Sequence, residues 1–553
     1  MDYDEAVAIV TGPGQPYEIE ERVIGSSAVK VFKNAPANLA QLFEASRNFS
    51  DQTFLVYEGE RWSFAETMAL SDQIAASLVN KYGVVKGDRV AIAMRNQPEW
   101  VASYCAALSV GAIATLLNSW WEANELRYGI ADSGAKIVIA DLERAHRASE
   151  AVVELNIPLL VARAAQNALP KGAQSLSEAL QGNGDFDRPE ILPEDFATLL
   201  YTSGTTGNPK GALSTHRAVM TAVLANGARS AVDSLRSAKA QASEWPVSFV
   251  LGLPLFHATG SVSILLSAVA LGSKIVMMHR WDPEAALAII ENEHITHFVG
   301  VPTMSWDLLE SPRFSSTDIS SLFRIGGGGA SVPPELIRKI ARQVRGGEPA
   351  FGYGMTETNT YGPRIDGEDA LQRPTSAGRM LPIMEVKILG PSGEEVPTGE
   401  RGEICFFGST VISQYWNKPD ETQNAFHGKW LRSGDIGHLD EDGYVYVDDR
   451  LKDVVIRGGE NVYCVEVEAA IYEHPSVHEV AVFGLEDKRL GEKVAAAIYP
   501  TEGANLDPEE LRLFLKGKIA NFKIPAEIFV LDKQLPRGAT GKIQKRELRE
   551  HFA

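Results

Sequence analysis

Short apolar and β-branched runs bounded by turn residues recur along the chain, at 136–140, 197–201, 248–253, 274–278, 297–301 and 322–326. Runs of this length and composition read as buried strands. Between several of them lie helical patterns, at 283–293 and 333–344, each opening on a proline, where a helix tolerates one best. The alternation predicts an α/β fold with substantially parallel sheets. After Gly402 the texture changes to short strands and turns, 403–407 and 443–447, as in a small β-rich subdomain. A compact charged link, Asp449-Arg450-Leu451-Lys452-Asp453, comes next, and the remainder is the size of one small α+β domain. The expected organisation is a large N-terminal domain of stacked α/β subdomains at 1–449, with its β-rich part at about 380–449. A hinge at 450–453 and a small, mobile C-terminal domain at 454–553 follow.

Length and composition agree with several lobes. The 553 residues exceed one compact core, and 44% hydrophobic against 23% charged is a globular balance throughout. Acidic residues outnumber basic ones, 72 to 53, and the formal charge of -19 argues against a nucleic-acid partner. Cys105, Cys405 and Cys464 are odd in number, far apart and without metal-ligand spacing. That fits a reducing cytoplasm, not a disulfide framework or zinc site. The N-terminus lacks a secretory pattern. The longest stretch free of formal charge, 245–273, is broken by Pro246, Gly252, Pro254, His257 and Gly260, so it reads as buried core and not as a transmembrane segment.

The string Tyr201-Thr-Ser-Gly-Thr-Thr-Gly-Asn-Pro-Lys-Gly211 carries the clearest chemistry. Gly204 and Gly207 let backbone N–H groups approach phosphate oxygens. Thr202, Ser203, Thr205 and Thr206 add hydroxyl donors, and Lys210 adds positive charge. The order is not that of a Walker loop. Glycine content alone would equally describe a polar surface turn. The whole string, however, closely resembles the phosphate loop of the adenylate-forming superfamily, which includes acyl-CoA synthetases, insect-type luciferases and the adenylation domains of peptide synthetases.

That resemblance requires further blocks in a set order, and they are present from about residue 50 onward. Leu253-Pro-Leu-Phe-His257 resembles the block at the acyl site, implying roles there for Phe256, His257 and the nearby Gly260. Gly326-Gly-Gly-Gly-Ala330 resembles the segment between adenine and acyl group, with Gly328 on the acyl side and Gly329 and Ala330 on the nucleotide side. Tyr353-Gly-Met-Thr-Glu357 resembles the central motif. By that resemblance Tyr353 and Gly354 lie at adenine, Thr356 contacts the α-phosphate and Glu357 binds magnesium. Trp430-Leu-Arg-Ser-Gly-Asp435 and Arg450 resemble the ribose-binding pair, with Ser433 where threonine is commoner. Lys452 falls on the hinge position. Gly458 and Gly459 resemble the loop that approaches coenzyme A, and Cys464 replaces the family's usual proline after it. The cysteine reads as a small buried hydrophobe, not a catalytic thiol. Lys542, in Leu535-Pro-Arg-Gly-Ala-Thr-Gly-Lys542-Ile, resembles the lysine that bridges the reacting carboxylate and the α-phosphate.

The implied activity is an AMP-forming carboxylic acid:CoA ligase using ATP, Mg2+ and coenzyme A, in which acid and ATP give an acyl-adenylate that a thiol then takes apart. A stand-alone enzyme loading a carrier protein is the alternative. The walls of the acid pocket are expected from 256–261, 301–304, which includes Thr303, and 326–329. Small residues there, Gly260, Ser261 and the glycine run, would leave room for a fatty or bulky aryl acid. A homodimer is the default expectation for such a chain.

Overall fold

A computed structural model describes residues 1–182, 184–202, 208–237, 244–344, 347–539 and 541–553. The alternating apolar runs form two eight-stranded sheets. In the first, Phe196–Thr202 lies beside Ile113–Leu116 in parallel and beside the returning strand Lys210–Thr215 antiparallel, with Gln414–Tyr415 added at the edge. In the second, Thr53–Tyr57, Lys274–Met277, Ser248–Leu251, His297–Gly300, Arg324–Gly328 and Glu348–Gly352 are parallel neighbours, closed at each end by an antiparallel strand.

One hydrophobic core joins both sheets to the helices between them. In the helix Pro98–Ser109 every residue but Glu99 is buried, as expected of a helix covered on all sides. The helix His216–Arg236 starts at Thr215, whose side chain accepts the N–H of Ala218. The charge-free stretch supplies the strand Ser248–Leu251, a π-helical segment Thr259–Leu266 and the helix Ser267–Leu271, all within the core. Among the described residues no helix is long and apolar enough to cross a membrane.

The strand expected at 322–326 runs instead over Arg324–Gly328. Glycine is a poor strand former, but here its lack of a side chain is required. A Cβ on Gly326 would lie 1.7 Å from the carbonyl oxygen of Ala350 on the neighbouring strand. Propensity is overridden by close backbone approach.

Strands from Ser376–Gly378 to Val445–Arg450 form a six-stranded antiparallel sheet. Beyond residue 454 a five-stranded sheet and the helices Cys464–Tyr472, Pro508–Leu515 and Lys545–Phe552 pack around two small cores of their own. This larger-plus-smaller α/β architecture is the expected fold class. The first forty residues, silent in the motif reading, add the helix Tyr3–Thr11 and the hairpin Ile19–Ile24/Ser27–Phe32, whose Tyr3, Ala6, Val7, Val10 and Phe32 join the main core.

Candidate active site

The C-terminal ends of the parallel strands open onto one cavity of about 2300 Å3, bounded on its other side by the C-terminal segment. Open α/β sheets place ligands at this edge. Thr202 ends its strand there, and its hydroxyl donates to the carbonyl of Lys210 on the return strand at 3.4 Å. Ser203, Gly204, Thr205, Thr206 and Gly207 lie outside the described residues. The Lys210 ammonium stands 5.4 Å from the centroid of the Tyr415 ring.

Tyr415 was not visible to motif reading, because it lies between blocks and arrives only through pairing of Gln414–Tyr415 with Lys210–Thr215. Its phenol donates to Glu357 Oε1 at 2.6 Å. Glu357 sits with Thr356 in the turn Thr356–Thr358 just after the strand Glu348–Gly352, and only 7% of it is exposed. Burial raises its pKa, and the bond from Tyr415 partly offsets that. The site thus holds a desolvated carboxyl that a nearby cation would favour as carboxylate. Among the described residues no group of three or more His, Cys, Asp or Glu side chains could hold a metal.

Tyr353 and Gly354 follow the same strand and line the cavity. The Tyr353 phenol donates to Asp435 Oδ2, while the other oxygen, Oδ1, is 3.5 Å from Arg450 Nε. Asp435 and Arg450 face each other on adjacent antiparallel strands, so backbone register brings the pair together. Ser433, the variant position, accepts the backbone N–H of Asp435 at 3.0 Å. Burial raises the Asp435 pKa against the pull of Arg450.

Lys542 enters from the C-terminal segment. Its loop is closed by Gly538 N–H donating to the Lys542 carbonyl at 2.9 Å, and the Thr303 hydroxyl lies 3.5 Å from the Gly541 carbonyl. The side chain packs against Gly329, where a Cβ would be 3.0 Å from Lys542 Cε. Gly329 also has φ +87°, a left-handed conformation that suits glycine. Burial lowers the Lys542 pKa to about 8, assisted by the Arg450 charge and opposed by Asp435 and Glu357. His257 is lowered to about 3, first by burial and then by Lys542. It is therefore neutral, and its Nδ1 accepts the Thr259 N–H at 3.3 Å, leaving the proton on Nε2.

Phe256, Thr303, Gly328 and Ala330 also border the cavity. Gly260 does not give the room expected of it. The place of its missing side chain is filled by the Pro254 carbonyl oxygen, 2.4 Å from an added Cβ, so this glycine serves packing beneath the cavity wall. Lys452 reaches the cavity rim. Gly458 and Gly459 are exposed on the turn between Val455–Arg457 and Glu460–Val462 and do not border it. Cys464 is buried, its thiol pKa pushed well up by burial and its Sγ 3.1 Å from the Asp453 carbonyl, which suits packing and not nucleophilic chemistry.

A family model described as "AMP-binding enzyme" matches residues 42–416, and one described as "AMP-binding enzyme C-terminal domain" matches 466–542. A feruloyl-CoA synthase from Amycolatopsis is 35% identical over 505 residues, covering 90% of this chain and 96% of the relative. The long-chain-fatty-acid–CoA ligase FadD13 of Mycobacterium tuberculosis is 33% identical, covering 89% and 93%. Among solved structures, o-succinylbenzoate CoA synthetase (MenE) from Bacillus subtilis in complex with its acyl-adenylate intermediate has a TM-score of 0.77 at 29% identity, covering 93% of this chain and 98% of that one.

Proposed function

The chain belongs to the AMP-binding enzyme family and is an AMP-forming acid–thiol ligase, and from that premise we propose that it joins a fatty or bulky aryl acid to coenzyme A through the convergence of Lys542, Glu357 and Asp435. The observation that carries the reading is the packing of Lys542, from the C-terminal segment, against Gly329 in the cavity that Glu357 and Asp435 also line.

A carboxylate cannot expel oxide, so the acid must first be activated. An acid oxygen bonds to the α-phosphorus of ATP as the bond to the bridging oxygen breaks, and pyrophosphate leaves. Two anions must meet for this, and protonated Lys542 offsets their repulsion and stabilises the developing charge. Asp435 and Arg450 hold the ribose, Tyr353 and Gly354 hold adenine, and Lys210 with the hydroxyl-rich loop holds the departing phosphates. Neutral His257 borders the carboxylate without adding charge. Glu357 fits as the single protein ligand of Mg2+, the phosphates supplying further oxygens, and the ion would neutralise phosphate charge when bound. In the second step the thiol sulfur bonds to the acyl carbon, the mixed anhydride breaks and AMP leaves. Lys542 stands where that thiol must arrive, so the C-terminal domain turns about Lys452 and brings Gly458 and Gly459 inward. A cytoplasmic setting fits the cysteine usage, and a homodimer is the general expectation for such an enzyme.

The test is pyrophosphate release over a panel of fatty and aryl acids with MgATP, with and without coenzyme A, the product identified by mass. Thioester in the complete mixture supports the ligase. Pyrophosphate release with accumulating adenylate and no thioester would point instead to a carrier-protein acceptor.

A further inference from the structure

The acid end of the cavity runs between two helical walls. Gly227 and Ser230 of the helix His216–Arg236 form one, and Ser263 and Ser267 of the Thr259–Leu271 stretch form the other. Small side chains keep the passage open. Tyr17 and Leu42 line the same cavity. Tyr17 lies outside the residues matched by the family model, which begins at 42.

The helix is shaped to receive this tyrosine. Glycine inside a helix costs about 0.5–1 kcal/mol relative to alanine. At Gly227 the reason is local, because a Cβ would stand 2.6 Å from the Tyr17 hydroxyl oxygen. The ring also meets Phe32 edge-on at 6.1 Å. Its segment is tied down at several points. Lys33 N–H donates to the Glu18 carbonyl at 2.8 Å, the Ser409 hydroxyl to the Lys30 carbonyl at 2.7 Å, and Arg229 Nη1 to the Tyr3 hydroxyl at 3.2 Å. Arg379 pairs with Asp4 at 2.7 Å. A loose tail could not present a fixed wall, whereas a strap anchored along its length can.

We propose that Tyr17, held on the N-terminal strap of residues 1–33 and packed on Gly227, walls the acid-binding passage and limits the length of acid the enzyme accepts. The inference rests on the ligase reading above. An apolar pocket distinguishes neighbouring chain lengths by the space available to the last carbons, so removing a ring from its wall changes preference more than it changes chemistry.

The experiment compares kcat/KM for pyrophosphate release across straight-chain acids from hexanoate to octadecanoate, in the parent, Tyr17→Ala and Tyr17→Trp, with melting temperatures recorded. Tyr17→Ala is expected to raise the long-to-short ratio about tenfold or more, and Tyr17→Trp to lower it. Should the alanine variant fail to fold, the tryptophan variant decides alone, since added bulk must shorten the preferred acid. Variants that melt like the parent and keep its length profile would overturn the role of Tyr17. A parent enzyme that releases pyrophosphate with aryl acids but with none of the straight-chain acids would overturn the length role, and one that releases none with any fatty or aryl acid would overturn the ligase reading itself.

Discussion

Lys542 is charged at neutral pH and neutral a little above it, because burial brings its pKa down to about 8. In the proposed mechanism adenylate formation needs the charged form, so pyrophosphate release measured without coenzyme A should fall as pH rises through about 8. Lys542→Ala should abolish that half-reaction while largely sparing thioester formation from a supplied acyl-adenylate. Equal loss of both would remove the lysine from its assigned role. Tyr415→Phe takes away the donor to a buried carboxyl, a change worth about 1–3 kcal/mol. It should shift the magnesium concentration giving half-maximal activity, and an unmoved requirement would leave Tyr415 a packing residue. Asp435→Ala should weaken ATP more than the acid, read as separate KM values. Of these residues, Lys542, Glu357 and Asp435 stand inside recognisable motifs, but Tyr415 belongs to none, because a single sheet-edge pairing places it.

The helix His216–Arg236 shows how an element can carry both shape and acid sensitivity. His216 is fully buried at its first turn, and its Nδ1 accepts the Leu39 N–H at 3.2 Å. Burial lowers its pKa from 6.5 to about 4. Between those values the unfolded chain binds a proton that the native state refuses, so stability is full above 6.5 and falls as pH drops toward 4. The full contribution is about 3 kcal/mol. Half-buried His257 and His297, each lowered to about 3, act in the same direction. Melting temperature followed from pH 7 downward should decline, and His216→Asn, which offers an amide oxygen to the same N–H, should flatten part of that decline. Element type was legible from patterning, as the helix Pro283–Glu293 illustrates, since proline start and apolar period agree there. Bounds slipped where glycines entered a strand, as at Arg324–Gly328, because backbone proximity leaves no periodic signal.

Contacts between the two ends of the molecule hold Lys542 in place. His478 Nδ1 is 2.9 Å from Glu310, and that bond raises the histidine pKa. Across the 450–453 link, Asp449 at the end of the six-stranded sheet accepts both the Arg450 N–H and the Cys464 N–H. Proline, which the sequence resemblance leads one to expect at 464, has no N–H to give. The bond from Cys464 ties the start of the helix Cys464–Tyr472 to the larger body, and turning the C-terminal domain would break it. A hydrogen bond to a charged group contributes about 1.5–3 kcal/mol. Cys464→Pro should therefore raise thioester formation from supplied adenylate relative to adenylate formation by about tenfold. Cys464→Ala keeps the N–H and should leave the ratio near that of the parent, and equal behaviour of the two variants would discard the tie.

The sequence by itself determined the fold class and the order of chemical blocks, since apolar periodicity, turn residues and contiguous motifs are local properties written in neighbouring positions. Tertiary structure alone decided which residues share a space. It placed Tyr415 on Glu357, walled Gly260 away behind the Pro254 carbonyl, left Gly458 and Gly459 outside while Lys542 is inside, and set Tyr17 against Gly227 on the cavity wall. Each of those depends on contacts between residues far apart in the chain, where burial and close backbone approach act on groups that no local pattern connects.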